Sequence, residues 1–449
     1  MTSNQETVAA TARIAKQEWA GAFGAAMGAI AGCFKRREPR QAAAELTSGL
    51  LMELETRNCW TLAEAAGHRS PNRFQHLLAR AKFDHEAARR KIAEQVAVHL
   101  AGEEIVLVAD ETGDEKASEY AVGAAHQYSG AIGGTAKCQV AVHLVAVTAK
   151  MRVMIDRKLY LPKEWAADDE RRELAGVPDE LEFSKKSDQA VAMVRDALKA
   201  GIRADWFAGD EVYGSWALRH GMRAMGLGYA VAVKKNQKVT LRSGLRIEVR
   251  KLINKLKPEN WMRMATGQGQ KGTREYYWSM IDIRADDTPD GHEAGTSVLI
   301  VRRHRYTRET SLYLCHHQQP VTLAKLVEVI CRRWGVEEAF QLGKSFVGLD
   351  QGQVTCWNSW HRWSLFSMIA AIVLTLTRAA TAARTTFDWP PGLVPVSCPE
   401  LLRLLRAFAL PSPARDGDHV VFWSAWRLHH QAVAQACHRQ RHHLHNQVI

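Results

Sequence analysis

The feature that most constrains the fold is an alternation of strand-like and helical segments between residues 104 and 233. The apolar run EIVLVAD (104–110) and the segments 138–148 and 152–162 predict three strands, and the sequence between the first two is rich in turn residues. A helical segment, a short buried strand that ends at Asp210, another helical segment and the strand YAVAV follow. Helices that alternate with strands pack in layers on a sheet, so we predict a mixed α/β core.

The regions around this core have different patterns. Apolar residues recur at helical spacing in the first hundred residues. Beyond the strand YAVAV, strand-like segments and a turn-rich loop indicate a β-rich insertion, which is followed by helical sequence. We therefore divide the chain into residues 1–100 (helical domain), 101–233 (first part of the core), 234–320 (insertion), 321–385 (second part of the core) and 386–449 (C-terminal helical region).

The composition favours a polyanionic partner and a reducing compartment. The 449 residues include 60 basic and 48 acidic side chains, for a formal net charge of +12, and a basic chain attracts polyanions such as nucleic acid. The apolar content of 46% excludes wholesale disorder. The eight cysteines form no C-x-x-C pair, and the N-terminus has no secretory pattern, so we expect a cytoplasmic protein with reduced thiols.

The longest apolar run, WSLFSMIAAIVLTL, begins at Trp363. It is shorter than the roughly 20 residues that a membrane-spanning helix needs, so we expect a buried core helix and no membrane partner.

The segment 61–81 resembles a helix-turn-helix. Thr61 and Glu64 predict a capping box, Gly67 ends a short helix, and Ser70-Pro71 begin the next. In the second helix Phe74, Leu77, Leu78 and Ala81 are predicted to face inward. Arg73, His76 and Arg80 are predicted to form an outward basic row that contacts DNA. The competing interpretation is an ordinary helical hairpin in a bundle.

Two carboxylates stand at equivalent places in the core, since Asp110 and Asp210 each close an apolar strand. Ligands bind at such sheet rims in open α/β folds, although an aspartate after a strand is also a common turn residue. Together with Glu337 on a later helix they form a set of hard oxygen ligands suited to Mg²⁺. Two such ions can clamp the attacking and leaving oxygens of a phosphodiester.

The stretch RRWGVEEAFQLGK (332–344) predicts the helix that carries Glu337. Helical spacing places Glu337 on one face with Arg333 and Lys344, beside an apolar stripe, while Glu338 points elsewhere. On this segment alone, a solvated helix face with spaced ion pairs is the competing interpretation.

These residues also carry a resemblance. VADETG, GDEVYG and RWGVEEAFQLGK resemble the three acidic motifs of the DDE transposases of bacterial insertion sequences, and the last is similar to their R-x-x-x-E-x-x-x-x-x-x-K signature. The similarity covers about residues 45–435 and is greatest to the insertion-sequence family 701 branch of the IS4-like group. The matching surroundings are GLLMELETRNCWTLAEAAGH, AVGAAHQYSGAIGGTAKCQVAVHL, LYLPKEWAADDERRELAGVP and VGLDQGQ…SWHRW.

The resemblance implies an RNase-H-like catalytic core in which Asp110, Asp210 and Glu337 hold two divalent ions, Mg²⁺ or Mn²⁺, with a β-rich insertion between the second and third acids. It also implies that Arg333 and Lys344 meet DNA phosphates. Two positions depart from the family: Ile330 replaces a frequent tyrosine, and Glu111 stands where relatives often carry a second aspartate.

The function that these expectations predict is a transposase. It would bind the ends of its mobile element, cleave double-stranded DNA there and join the ends to target DNA, acting as a homodimer when bound. The alternative is a transposase-derived, non-catalytic DNA-binding regulator.

Several residues compete for roles in the site. Glu111, Asp114 and Glu211 lie close to the chosen aspartates in sequence, and Asp350 is the least secure exclusion. Trp261 and Trp278 fall in the insertion, where an aromatic residue of related transposases can stack on a flipped base; the competing interpretation is a core tryptophan.

Overall fold

The structure is a computed structural model that describes residues 3–269 and 272–447. Its strands belong to one mixed sheet. The strands are β1 (Val106–Glu115), β2 (Ala125–Ser129), β3 (Gly134–Val147), β4 (Arg152–Leu159), β5 (Trp206–Gly209), β6 (Gly228–Ala232), β7 (Lys238–Leu241), β8 (Arg246–Glu248), β9 (Met262–Gly269), β10 (Gly272–Arg284), β11 (Thr296–His304) and β12 (Thr310–His317).

Helices precede, interrupt and follow these strands. They are α1 (Ser3–Ala29), α2 (Arg37–Leu51), α3 (Cys59–Ala65), α4 (Asn72–Ala79), α5 (His85–His99), α6 (Lys163–Ala166), α7 (Asp169–Ala175), α8 (Lys186–Lys199), α9 (Trp216–Ala224), α10 (Val249–Ile253), α11 (Leu323–Arg332), α12 (Gly335–Val347), α13 (Trp357–Arg384), α14 (Cys398–Phe408) and α15 (Gly417–Gln447). Short 3-10 helices are Ala31–Cys33, Glu211–Tyr213 and Pro258–Asn260.

The core of the sheet has the order β4-β3-β1-β5-β6. The strands β4, β3 and β1 are antiparallel neighbours, whereas β5 pairs parallel to β1 and β6 parallel to β5. Helices connect the parallel strands, as such crossovers require. This is an RNase-H-like core, so the predicted α/β fold class is confirmed.

The β-rich sequence between the second and third acidic motifs extends the same sheet. β12 pairs antiparallel with β6, and β11, β10, β7 and β8 follow in order, with β9 paired to the other end of β10. The inserted strands therefore continue the hydrogen-bonded ladder of the core. β2, which lies in a turn-rich stretch, is a strand that the sequence analysis does not predict.

The apolar run that begins at Trp363 lies in α13, which packs against α1, α2, α4 and β4. In the described part of the chain this is the one helix long and apolar enough to cross a membrane, and 78% of its apolar window is buried inside the protein. The prediction of a buried core helix is confirmed.

The helical region before the sheet is fastened to α13 by a buried arginine. Arg362 donates hydrogen bonds to the carbonyl oxygens of Leu77, Leu78, Ala81 and Phe83, at and beyond the end of α4. These bonds satisfy carbonyl groups that the end of a helix leaves without partners. The described N-terminal helices are therefore packed onto the core rather than separated from it.

Candidate functional site

Asp110 lies inside β1 and not at its end, so the prediction that it closes the strand is wrong. The parallel pairing with β5 stops at Ala109 and Gly209, but the antiparallel pairing with β3 continues to Glu115. The polar sequence after Asp110 stays extended because β3 satisfies its backbone. An apolar pattern does not reveal such a partner.

The Asp110 carboxylate is buried with little compensation. Its Oδ1 accepts a hydrogen bond from the backbone N–H of Glu111 at 2.8 Å, and its Oδ2 lies 3.5 Å from Nη1 of Arg333. Burial, together with the repulsion of the nearby Asp210 carboxylate, raises the pKa of Asp110 to about 7 although Arg333 opposes both effects.

Asp210 directly follows β5, as the sequence predicts. It caps the 3-10 helix Glu211–Tyr213, and its Oδ1 accepts a hydrogen bond from the Val212 N–H at 2.8 Å. Burial raises the pKa of Asp210, and the charge of Glu111 adds to the effect. Because β1 and β5 are parallel neighbours, their register brings the two aspartates together at the point where their pairing ends.

Glu111 lies on the opposite face of β1, since successive side chains of a strand alternate. One carboxylate oxygen pairs with Lys186 Nζ at 2.8 Å, and the other accepts the Tyr213 hydroxyl hydrogen at 2.8 Å. The Tyr213 side chain packs on Gly209, where a Cβ would lie only 2.7 Å from it. Both oxygens of Glu111 are thus occupied by the chain itself.

The predicted helix over 332–344 is divided between α11 and α12. The backbone tightens at Arg333 and Trp334, where amides bond to carbonyls three residues earlier, and α12 then begins at Gly335. Gly335 is required there because a Cβ would lie 2.9 Å from Val147. Arg333 consequently lies at the junction of the two helices, beside Asp110.

Glu337 is half-buried in the first turn of α12. Arg333 contacts Asp110 near one end of this helix, and Lys344 contacts Asp114 Oδ1 at 3.0 Å near the other. Helical spacing places Glu337 between those two contacts. Glu338 is exposed and pairs with Arg152 at 2.7 Å, so it points off the Glu337 face as predicted.

The structure brings Asp110 and Asp210 together, but it does not place Glu337 in contact with them. Glu337 is not among the principal charges that shift the pKa of either aspartate. No three His, Cys, Asp or Glu side chains of the described residues are arranged to hold a metal ion. The two aspartates nevertheless fit a divalent cation, because they are hard oxygen donors whose mutual repulsion such an ion would relieve.

The competing carboxylates lie elsewhere. Asp114 is held by Lys344, and Glu211 is exposed beside Asp210. Asp350 lies beyond α12, where burial and the charge of Asp114 raise its pKa, while Lys344 and Lys116 lower it. Asp350 therefore shares an environment with Asp114 rather than with Asp110.

The two tryptophans of the insertion have different surroundings. Trp278 is fully buried in the main core. Trp261 is half-buried, and the Arg303 guanidinium lies over its ring at 3.8 Å from the centroid. Trp278 is thus a core residue, and the described face of Trp261 is covered by the chain's own cation.

The helices α3 and α4 resemble the predicted helix-turn-helix, with two differences. The N-cap of α3 is Asn58, which forms a capping box with Thr61, and α4 begins after Pro71 rather than Ser70. The predicted inward residues of α4 are buried, and His76 and Arg80 are exposed. Arg73 is only partly exposed, because it pairs with Glu45 at 2.9 Å.

The sequence analysis misses the groups that hold Glu111 and the cations near Asp210. Lys186 and Tyr213 come from distant segments, and only the folded sheet brings them to Glu111. Lys234 and Lys235 line a cleft next to Asp210. Their signal in the sequence is a pair of lysines directly after the strand YAVAV.

Comparisons with known proteins identify the family to which the chain is related. The family model described as "DDE superfamily endonuclease" matches residues 29–273, and the one described as "Transposase DDE domain" matches residues 180–374. A probable transposase for insertion sequence element IS701 from Microchaete diplosiphon is 24% identical over 250 residues. That alignment covers 54% of this chain and 62% of the relative, so the chain spans less than two thirds of the relative's length.

A solved structure is also similar. The cryo-EM structure of the piggyBac transposase synaptic complex with hairpin DNA matches at a TM-score of 0.44 and 11% identity, covering 84% of this chain and 71% of the other. The first family model spans more than half of the chain and includes both aspartates, and the second includes Asp210 and α12. The chain therefore belongs to the DDE superfamily of endonucleases, and its resemblance to DDE transposases is confirmed.

Proposed function

We propose that this protein is a transposase that binds the ends of its mobile element, cleaves the DNA there and joins the ends to target DNA. The observation that carries the proposal is the pair of clustered aspartates, Asp110 buried and Asp210 half-buried, which come from adjacent strands. Arg333 lies 3.5 Å from Asp110, but burial outweighs this contact and the pKa of both carboxyls is raised. Buried carboxylates that are only partly neutralised are costly, so their presence favours a ligand of opposite charge.

In this proposal Asp110, Asp210 and Glu337 hold the divalent ions. Bound Mg²⁺ or Mn²⁺, in two sites, would supply a nucleophilic oxygen and stabilise the leaving oxygen of the phosphodiester. The chain orients the site: β1 and β5 fix the two aspartates, and Glu337 belongs to α12, which packs against β1. DNA must displace or share the contacts that Arg333 and Lys344 make with Asp110 and Asp114 in this structure.

In this proposal the same site catalyses two steps, strand cleavage and strand transfer. Water first attacks a phosphodiester at the element end and releases a 3′-hydroxyl, and that hydroxyl then attacks a phosphodiester of the target. Arg333 is placed to neutralise phosphate charge because it already reaches the Asp110 side of the site.

The partners belong to the same proposal. Double-stranded DNA is bound through the exposed His76 and Arg80 of α4, with Arg73 beside them, and the DNA-bound form is a homodimer in the cytoplasm. The basic net charge of the chain supports a polyanionic partner.

The second candidate is a DNA-binding regulator without catalysis. The clustered carboxylates of Asp110 and Asp210 argue against it, since a protein that only binds DNA gains nothing from negative charge placed where phosphate must approach. Inverted repeats beside the coding region would favour a transposase over a regulator.

The experiment is a cleavage assay on a labelled duplex that contains the element end, with Mg²⁺ or Mn²⁺. We expect Asp110→Asn, Asp210→Asn and Glu337→Gln each to abolish cleavage and strand transfer while end binding survives. Glu338→Gln is the matched control, because this neighbouring glutamate pairs with Arg152 on another side of α12. An inactive Glu338→Gln beside an active Glu337→Gln would show that the wrong helix face was chosen.

A further inference from the structure

A cleft of about 530 Å³ opens directly beside Asp210, between the core and the inserted strands. Its wall on the core side includes Asp210, Val212 and Arg333. The opposite wall is formed by the end of β6, the residues that follow it, and the strands β11 and β12. A cleft of this size is comparable to sites that hold small ligands or single nucleotides rather than a whole duplex.

Besides Arg333, three cations line the cleft, namely Lys234, Lys235 and Arg302. Both lysines are exposed, and no ion pair among the described residues involves any of the three side chains. By contrast, Arg333 and Lys344 on the α12 side are each paired with a carboxylate. The uncompensated positive charge of the site is therefore concentrated on the side of the insertion.

The backbone around these cations is well braced. The Val233 N–H donates to the Leu312 carbonyl at 2.9 Å, which continues the β6–β12 ladder to the edge of the lysine pair, and the Lys235 carbonyl accepts the Arg250 N–H at 3.1 Å. The two lysines thus follow β6 in a segment whose backbone is held by hydrogen bonds to β12 and to Arg250.

Arg302 is held in place by its own contacts. Its Nη2 donates to the Ser311 hydroxyl at 2.9 Å, and its guanidinium lies over the Tyr276 ring at 4.9 Å from the centroid. A guanidinium held in one orientation loses less entropy when it binds an oxyanion than a freely rotating side chain does.

We propose that this cleft holds the backbone of the cleaved DNA strand next to the scissile phosphate, with Lys234, Lys235 and Arg302 binding its non-bridging phosphate oxygens. The inference rests on the proposed function and adds a phosphate-binding subsite to it. Asp210 and Glu211 give the cleft an acidic lining, where the metal ions and the scissile phosphate belong, and Lys234, Lys235 and Arg302 give it a cationic lining, where the neighbouring phosphates belong. The strand runs from one to the other along the ends of β6 and β12.

Binding is the first test, and it can be measured in EDTA so that cleavage does not contribute. The probe is a labelled duplex ending at the first nucleotide of the element. We expect Lys234→Ala with Lys235→Ala to weaken binding and to reduce the salt dependence of affinity by about one unit of slope per lost phosphate contact. Lys234→Arg with Lys235→Arg should restore both quantities.

The matched control is Lys238→Ala with Lys251→Ala, which removes the same charge from exposed lysines of the same segment that do not line the cleft. Equal affinities and equal salt slopes for the two alanine pairs would overturn the inference.

Neutral phosphate analogues identify which phosphates of the cleaved strand the cleft binds. A methylphosphonate placed at single positions of the cleaved strand near the cut should weaken binding by wild type and have no further effect on the cleft variant. The subsite assignment is overturned if the analogue weakens both proteins equally. Failure of the proposed function gives a different result, in which wild type itself neither binds nor cuts the element end.

Discussion

Asp110 and Glu111 are neighbours in the sequence, yet their carboxylates lie on opposite faces of β1 in opposite electrostatic conditions. Glu111 is satisfied by Lys186 and Tyr213, one partner for each oxygen. Asp110 has a single backbone hydrogen bond, a contact with Arg333 at 3.5 Å, and the repulsion of Asp210 and Glu111. The difference distinguishes a carboxylate that stabilises the fold from one that is kept available for a ligand.

The sharpest test of this comparison is a pair of amide substitutions measured without metal. At pH 8 we expect Asp110→Asn to raise the free energy of unfolding by about 2–4 kcal/mol, because the folded state must otherwise hold an ionised buried carboxylate. Glu111→Gln should lower it by about 1–3 kcal/mol, because it breaks the pair with Lys186. Urea unfolding of both variants measures the two effects, and equal signs would refute the distinction.

The pH dependence sharpens the same prediction. Folding raises the pKa of Asp110 from 3.8 to about 7, so the folded state binds the proton more tightly. The destabilising contribution of Asp110 therefore grows as pH rises from about 4 to 7 and is complete above 7. The advantage of Asp110→Asn should disappear below pH 4, where the side chain is protonated in both states.

On the opposite face, Tyr213→Phe removes one hydroxyl and keeps the ring on Gly209. We expect a loss of about 1–2 kcal/mol in the free energy of unfolding, since one oxygen of Glu111 loses its donor. Cleavage should remain measurable, because neither Glu111 nor Tyr213 touches the scissile phosphate in the proposed mechanism. Complete loss of cleavage in a folded Tyr213→Phe protein would give the Glu111 face a catalytic role.

Substitution of Lys344 tests whether a lysine that forms an ion pair within the chain can also contact a DNA phosphate. We expect Lys344→Ala to reduce the cleavage rate about 10- to 100-fold, which is the value of one charge-assisted hydrogen bond, while divalent-ion binding changes little. An unchanged cleavage rate would show that Lys344 only forms a structural ion pair with Asp114 and does not contact DNA.

The smallest effect is expected far from the carboxylates, at α4. Arg73→Ala with Arg80→Ala should weaken end binding and lower its salt slope by about one unit per lost contact, without loss of the fold. Arg80 should account for most of the effect because Arg73 is partly engaged by Glu45. A band-shift titration with unchanged affinity and slope would exclude α4 as the DNA reader.

The sequence predicts the succession of strands and helices along the core and selects the two aspartates as candidates, because apolar runs followed by a carboxylate are local patterns. It does not predict that β1 continues past Asp110, since that depends on a partner strand some thirty residues away. The break at Arg333 is hidden for a similar reason: Gly335 is needed by contact with Val147, which no local pattern contains. Pairings such as Lys344 with Asp114 depend on tertiary geometry in the same way.

The hydrogen-bonded strands β5, β6, β12 and β11 fix the distance between the acidic residues of the core and Arg302 in the insertion. Neighbouring strands are spaced by about 4.8 Å, so β11, which carries Arg302, lies three spacings, or about 14 Å, from β5, the strand that Asp210 follows. Strand spacing is fixed by backbone hydrogen bonds and hardly depends on side chains, so sequence drift in the insertion would leave this distance unchanged. Gain or loss of strands beyond β10 would also leave this distance unchanged. A shift in the register between β6 and β12, in contrast, would move the cations of the inserted strands relative to Asp110 and Asp210.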